Sequence, residues 1–143
     1  MMKDVVISIN STFAFEEGEE QRMEFTTDGY YFFEDEVGCL SYEESEVTGL
    51  EGTRTSMFIM PDRVVVDREG TVTSRMEFRE GLKSAFQYAT PFGNANMGID
   101  TRRIAQSMGE AGGRVEIDYV VDMEHMVASR NKFEITVREI GAQ

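Results

Sequence analysis

The sequence predicts an all-β fold, an antiparallel up-and-down barrel of about 8–10 strands built as a single domain over residues 1–143. Two observations carry that prediction. Apolar and polar residues alternate with period two in one segment after another, the pattern of a strand with one buried face. Turn signals recur near Gly18, Gly29, Gly38, Gly52, Pro61, Gly70, Gly81, Gly93, Gly112 and His125. Their spacing is roughly the 8–12-residue rhythm of a sandwich or barrel, and no internal repeat, linker or low-complexity segment interrupts it. An antiparallel sheet of that many strands removes its edges by closing, and a barrel of about eight or more strands has room for a small ligand.

Asp4–Phe13 is the first strand, with Val5, Ile7 and Ile9 alternating against Val6, Ser8 and Asn10. The charged run Glu16–Glu20, carrying Gly18, turns the chain into a second strand, Arg22–Thr27. Asp28-Gly29 reads as a tight turn or a bulge, because glycine takes the positive φ that both require. Tyr30–Phe33 is aromatic on both faces, either core or, with one face exposed, a dimer or partner interface. Glu34–Gly38 is the next turn. In Leu40–Glu44, the acid falls on the same strand face as Leu40 and Tyr42, and a link with Gly49 and Gly52 returns the chain through Thr53 and Arg54. Thr55–Met60 is a strand stopped at Pro61-Asp62. Arg63–Asp67 is a β-branched strand ended by Arg68-Glu69-Gly70, and Val72–Phe78 follows.

Gly81–Thr90 fits a helical face through Leu82, Ala85, Phe86 and Ala89, but neighbouring strands and Pro91 favour a strand. Asn94–Ile104 is a strand, and Ala105–Gly112 a turn or a single helical turn capped by Gly112-Gly113. The last two strands carry the clearest signal: Val115, Ile117, Tyr119, Val121 and Met123 make one apolar face, and Phe133, Ile135 and Val137 its mate. One register sets Asp118 against Glu134 and Arg114 against Arg138. The other pairs Glu116 with Arg138, Asp122 with Lys132 and Glu124 with Arg130. Cross-strand charge pairs contribute about 0.2–1 kcal/mol each, which selects the second register, with Tyr119 opposite Ile135 and a short loop near Met126-Val127-Ala128.

Composition narrows the function classes. With 41% hydrophobic residues, ten Phe and ten Met, the chain has the volume for one sizeable core. Its formal charge of −13, from 14 Lys+Arg against 27 Asp+Glu, repels phosphate backbones. Arg102-Arg103 is the only adjacent basic pair, so neither nucleic acid nor a membrane surface is an expected partner. A single cysteine, Cys39, excludes an internal disulfide and fits a reducing compartment. Val5-Val6-Ile7 is too short for the apolar core of a signal peptide, and the expected location is the cytoplasm.

Catalytic and metal motifs are absent from the sequence. There is no Gly-x-Ser-x-Gly elbow, His-Glu-x-x-His pair, phosphate loop or Cys/His ligand spacing, so no metal or cofactor is expected. The sole histidine, His125, falls at a hairpin tip, and Cys39 has no base nearby in sequence. Glu44 and Glu46 would share a face if their strand continued, a spacing that arises easily among 27 acids. The informative polar residues are those on apolar faces: Glu44 with Tyr42, Arg103 with Met97, Ile99 and Thr101, and Asn131 with Phe133. An unpaired buried charge is expensive, so an inward Glu and Arg should meet each other or sit at a wet barrel mouth. Tyr42, Glu44 and Arg103 are therefore the candidate ligand-binding residues; the plainer alternative is an ion pair closing one barrel end.

The stretches FTTDGYYFF (25–33), LSYEES (40–45), REGTVTSRMEF (68–78), TPFG (90–93) and RNKFEITV (130–137) occur in order along nearly the whole chain. In these it resembles the YwiB-like family of uncharacterised bacterial β-barrel proteins. That resemblance implies a lipocalin-like (calycin) barrel in a bacterial cytoplasm and transfers no active site. Three functions remain open. The leading one is a non-catalytic protein, monomeric or homodimeric, binding an unidentified small molecule. The others are an interaction module with a fully packed barrel, and a small hydrolase or isomerase.

Overall fold

The computed structural model describes residues 2–15, 18–45, 50–123 and 129–140. Ten strands form in chain order: β1 (Lys3–Phe15), β2 (Gln21–Glu34), β3 (Val37–Glu43), β4 (Thr53–Ile59), β5 (Val64–Gly70), β6 (Ser74–Phe78), β7 (Lys83–Thr90), β8 (Gly93–Gln106), β9 (Gly112–Met123) and β10 (Ser129–Glu139). There is no helix among the described residues.

All ten lie in one antiparallel sheet in the order β6-β5-β4-β3-β2-β1-β10-β9-β8-β7. Every strand except β6 pairs with the next in sequence, and β1 joins β10 from Val5 opposite Glu139 to Phe15 opposite Ser129. The seam therefore falls between β6 and β7. There Thr73 and Ala89 exchange two backbone hydrogen bonds of 2.9 Å, and Ser84 Oγ donates to the Glu77 carbonyl at 3.1 Å. The barrel is nearly closed by a bridge and a side chain rather than by a full ladder.

Alternation explains the core. Val5, Ile7 and Ile9 of β1 point inward with Leu40, Met57, Val64, Val66, Ile99, Val115, Ile117, Ile135 and Val137, all buried. Full burial of such a side chain contributes about 1.5–3 kcal/mol. Because the strands run up and down, the C-terminal ends of β1, β3, β5, β7 and β9 all lie at one end, called the mouth below.

Several local expectations are corrected. Asp28-Gly29 is neither turn nor bulge: β2 runs straight through it in unbroken register with β1, Gly29 opposite Val5. The glycine is needed for space. A Cβ there would lie 2.5 Å from Ile7 Cδ1 and 2.5 Å from the Ser41 carbonyl oxygen. The turn after the aromatic run is tighter than expected, with Glu34 opposite Val37 and both Asp35 and Glu36 at positive φ (52° and 62°). The aromatic run divides between the faces: Tyr31 is buried and Phe33 packs on the core, while Tyr30 is exposed. Gly81–Thr90 supplies a strand as expected, and β8 extends to Gln106, leaving a non-helical turn before Gly112.

The β9–β10 register is neither of those weighed from the sequence. Ile117 faces Phe133, Tyr119 faces Asn131 rather than Ile135, and Glu116 faces Glu134. Apolar face still meets apolar face. The like-charge opposition is offset by cations set diagonally: Arg114 lies 3.2 Å from Glu116 and 2.9 Å from Glu134, and Lys132 lies 3.0 Å from Glu116. Lys132 itself stands opposite Asp118. The glycines agree with this register, since a Cβ on Gly112 would come within 2.3 Å of the Val137 carbonyl oxygen. The expected loop at Met126-Val127-Ala128 lies outside the described residues.

Candidate ligand site in the barrel mouth

Strand register builds a polar rung on the inner wall. Tyr42 of β3 faces Thr55 of β4, Thr55 faces Arg68 of β5, and Arg68 faces Ser74 of β6. Each follows its strand's inward alternation, so four neighbouring strands present four polar side chains at one level. Glu44 stands one step nearer the mouth, just beyond β3, where its backbone N–H donates to the Thr53 carbonyl at 2.8 Å. That bond continues the β3–β4 ladder and holds Glu44 on the face of Leu40 and Tyr42, as the alternation predicts.

The Glu44 side chain is only 2% exposed. Thr55 Oγ1 donates to its Oε2 at 2.7 Å, and Arg68 Nε lies 3.8 Å from the same oxygen. Among the described residues, the second oxygen, Oε1, is buried with no hydrogen-bond partner, and so are Arg68 Nε and Ser74 Oγ. Arg68 is 18% exposed, and its Nη1 reaches Met76 Sδ at 3.6 Å. Burial, and then the Glu44 carboxylate, push the Tyr42 hydroxyl well above its ordinary pKa; Arg68 and a hydrogen bond with Thr55 offset this only in part. Burial also raises Tyr119, against a smaller lowering by Arg68. Both phenols stay protonated and able to donate at neutral pH.

Tyr42, Glu44, Arg68, Met76 and Tyr119 border a cavity of about 150 Å³. Its remaining lining is mainly apolar, with Ile9, Met23, Phe25 and Phe133 from β1, β2 and β10, and Ser11 of β1 as the polar exception. Phe25 leans on Tyr42 at a centroid distance of 6.5 Å, and Tyr119 packs edge-on against Phe78 at 4.8 Å. A cavity of this order lined only by aliphatic groups stays dry and accepts a benzene-sized molecule. Here one wall carries a carboxylate and a guanidinium with bonding capacity left over. The site can hold one polar group against β3–β6 and an apolar body against the opposite wall.

Of the three sequence-predicted residues, the structure brings together Tyr42 and Glu44 and separates Arg103. A β-bulge between Thr101 and Arg103 inserts Arg102, so Thr101 stays inside while Arg103 turns out. Arg103 is 61% exposed and lies 3.7 Å from Glu116 on the outer face. The cation that answers Glu44 is Arg68, which sequence reasoning had placed in a turn. The signal was there: Val64, Val66 and Arg68 continue one period-two face.

Other candidates carry less. Asn131 Nδ2 is satisfied by the Ser129 carbonyl and hydroxyl at 3.0 and 3.1 Å. Cys39 is half-buried, and burial followed by the Glu34 carboxylate raises its thiol pKa, which disfavours the reactive thiolate. Glu46 and His125 lie outside the described residues. A larger outer groove of about 780 Å³, bordered by Arg22, Arg102, Arg130, Lys132, Glu20 and Asp118, is open to solvent, so water can satisfy its mixed charges.

A nearly closed meander around a cavity with a charged inner rung defines a β-barrel protein with an interior pocket. The chain belongs to the family described as Domain of unknown function (DUF1934), which matches residues 7–135. It is 28% identical, over 73% of its own length and 72% of the relative's, to a protein of Bacillus subtilis (strain 168) described as "Uncharacterized beta-barrel protein YwiB". The crystal structure of ywiB protein from Bacillus subtilis superposes with a TM-score of 0.84 at 25% identity, covering 96% of this chain and 92% of that one. The family resemblance and the barrel expected from the sequence are both borne out.

Proposed function

We propose that this barrel is a non-catalytic binding protein that holds a small molecule in the cavity beside Glu44 and Arg68. One observation carries the reading: in two residues that line the cavity, a carboxylate oxygen of Glu44 and the Nε–H of Arg68 are buried with no hydrogen-bond partner among the described residues. Leaving such groups unmatched costs about 1–3 kcal/mol each, and more when charged, so a chain that keeps them has a use for their bonding capacity. The up-and-down topology around a pocket supports a lipocalin-like mode of binding. The lone cysteine fits a cytoplasmic setting, and the −13 charge argues against nucleic acid or anionic membrane as the partner. The packed-barrel interaction module is the weaker reading, because the interior is not filled.

Native mass spectrometry of protein isolated from the cells that produce it tests the proposal. A stoichiometric extra mass that is lost on denaturation is the expected result. A clean apo mass, together with no binding of small amphipathic compounds, would sink it.

A further inference from the structure

We propose that the ligand is a net-neutral amphipathic molecule whose polar end sets a hydrogen-bond donor beside an acceptor, as an amide does. This deepens the ligand-binding reading above and rests on it. The inference starts from the unfilled valences. Among the described residues, Glu44 Oε1 has no hydrogen-bond donor and Arg68 Nε no hydrogen-bond acceptor. Both belong to one ion pair of two cavity-lining residues, Oε2 of the same carboxylate lying 3.8 Å from that nitrogen.

Charge then selects among polar groups. Among the described residues, the cavity lining contains one carboxylate and one guanidinium and no other ionisable side chain apart from Tyr42 and Tyr119, which burial keeps protonated. An anion bound to Arg68 would face the Glu44 charge, and a cation bound to Glu44 would face Arg68. In a site of low dielectric, each arrangement leaves one charge uncompensated. A donor–acceptor edge matches both groups and adds no net charge. The opposite wall of Ile9, Met23, Phe25 and Phe133 takes the apolar remainder, and Phe25 and Phe133 suit an aromatic or branched body.

Four probes of nearly equal size test this on the unmodified protein: 2-phenylacetamide, phenylacetate, phenethylamine and ethylbenzene, titrated at neutral pH and followed by ligand-observed NMR. The amide should bind at least about tenfold more tightly than either ion or the hydrocarbon. Glu44→Gln should move the preference to phenylacetate, because Arg68 then stands alone, and Arg68→Met should move it to phenethylamine. If either ion binds the unmodified protein as well as the amide, the net-neutral class is wrong while the cavity stands. The same holds if ethylbenzene matches the amide. If none of the four binds, the ligand-binding reading falls, and this inference with it.

Discussion

Thr55 Oγ1 donates a 2.7 Å hydrogen bond to Oε2 of Glu44, fixing a buried carboxylate whose other oxygen has no hydrogen-bond partner among the described residues. Thr55 is itself fully buried and opposite both Tyr42 and Arg68 in the sheet. Thr55→Val keeps the shape and removes the donor. The expected cost is about 1–3 kcal/mol, read as a lower denaturation midpoint at unchanged m-value. An unchanged midpoint would mean that the Glu44 carboxylate is held by something else.

Arg68→Met should destabilise by about 2–3 kcal/mol, less than the loss from a fully enclosed pair because Arg68 is 18% exposed. Adding Glu44→Gln should recover most of that loss, since no buried charge then stands unpaired. A double-mutant cycle in chemical denaturation gives the coupling directly.

Gly29→Ala tests the fold rather than the site. The added methyl would meet the Ile7 side chain and the Ser41 carbonyl oxygen, both at 2.5 Å, and the backbone atom has little room to move. A loss of about 3 kcal/mol is expected, at the top of the usual range for overpacking. Unchanged stability would mean that β2 does not pass this close to Ile7 and Ser41.

Arg103→Ala should change stability by less than about 0.5 kcal/mol, because the residue is exposed and its ion pair at 3.7 Å is solvated. Ligand retention should be unaffected. A large effect on either would place Arg103 inside after all.

Alkaline titration of the phenols gives a pH-dependent test. Burial, with a smaller contribution from Cys39, pushes Tyr31 up to about 12, and its hydroxyl donates to the Gly109 carbonyl at 2.6 Å. Tyr42 and Tyr119 are raised chiefly by burial. A group whose folded pKa exceeds its unfolded value stabilises fully below the unfolded value and loses that contribution as pH rises through the folded one. Stability should therefore fall from about pH 10 upwards. The phenolate absorbance of these three tyrosines should appear together with unfolding. If they ionise near pH 10 while the far-UV signal stays native, they are not buried as described.

Much of this was legible in the sequence, and the misses have physical causes. Alternation over Leu40–Glu44 placed the acid inside, because a period-two face needs no knowledge of neighbouring strands. Arg103 failed for the same reason that alternation works: one bulge residue, Arg102, shifts the period and reverses every later side chain. The β9–β10 register failed because directly opposed pairs were counted alone. Arg114 and Lys132 reach diagonally, and Gly112 makes room where a side chain would collide with Val137 of β10. Arg68 was overlooked because Glu69-Gly70 resembles a turn, although β5 continues to Gly70. The unmatched oxygen of Glu44 depends on four strands meeting, which no single segment reveals.

A crystal structure of the protein as isolated, without added ligand, tests the central claim most directly. The account predicts continuous density for an organic molecule in the cavity, with polar atoms within hydrogen-bond distance of Glu44 Oε1 and Arg68 Nε. Separate waters bonded to both groups, or Met and Phe side chains closing the cavity, would contradict it.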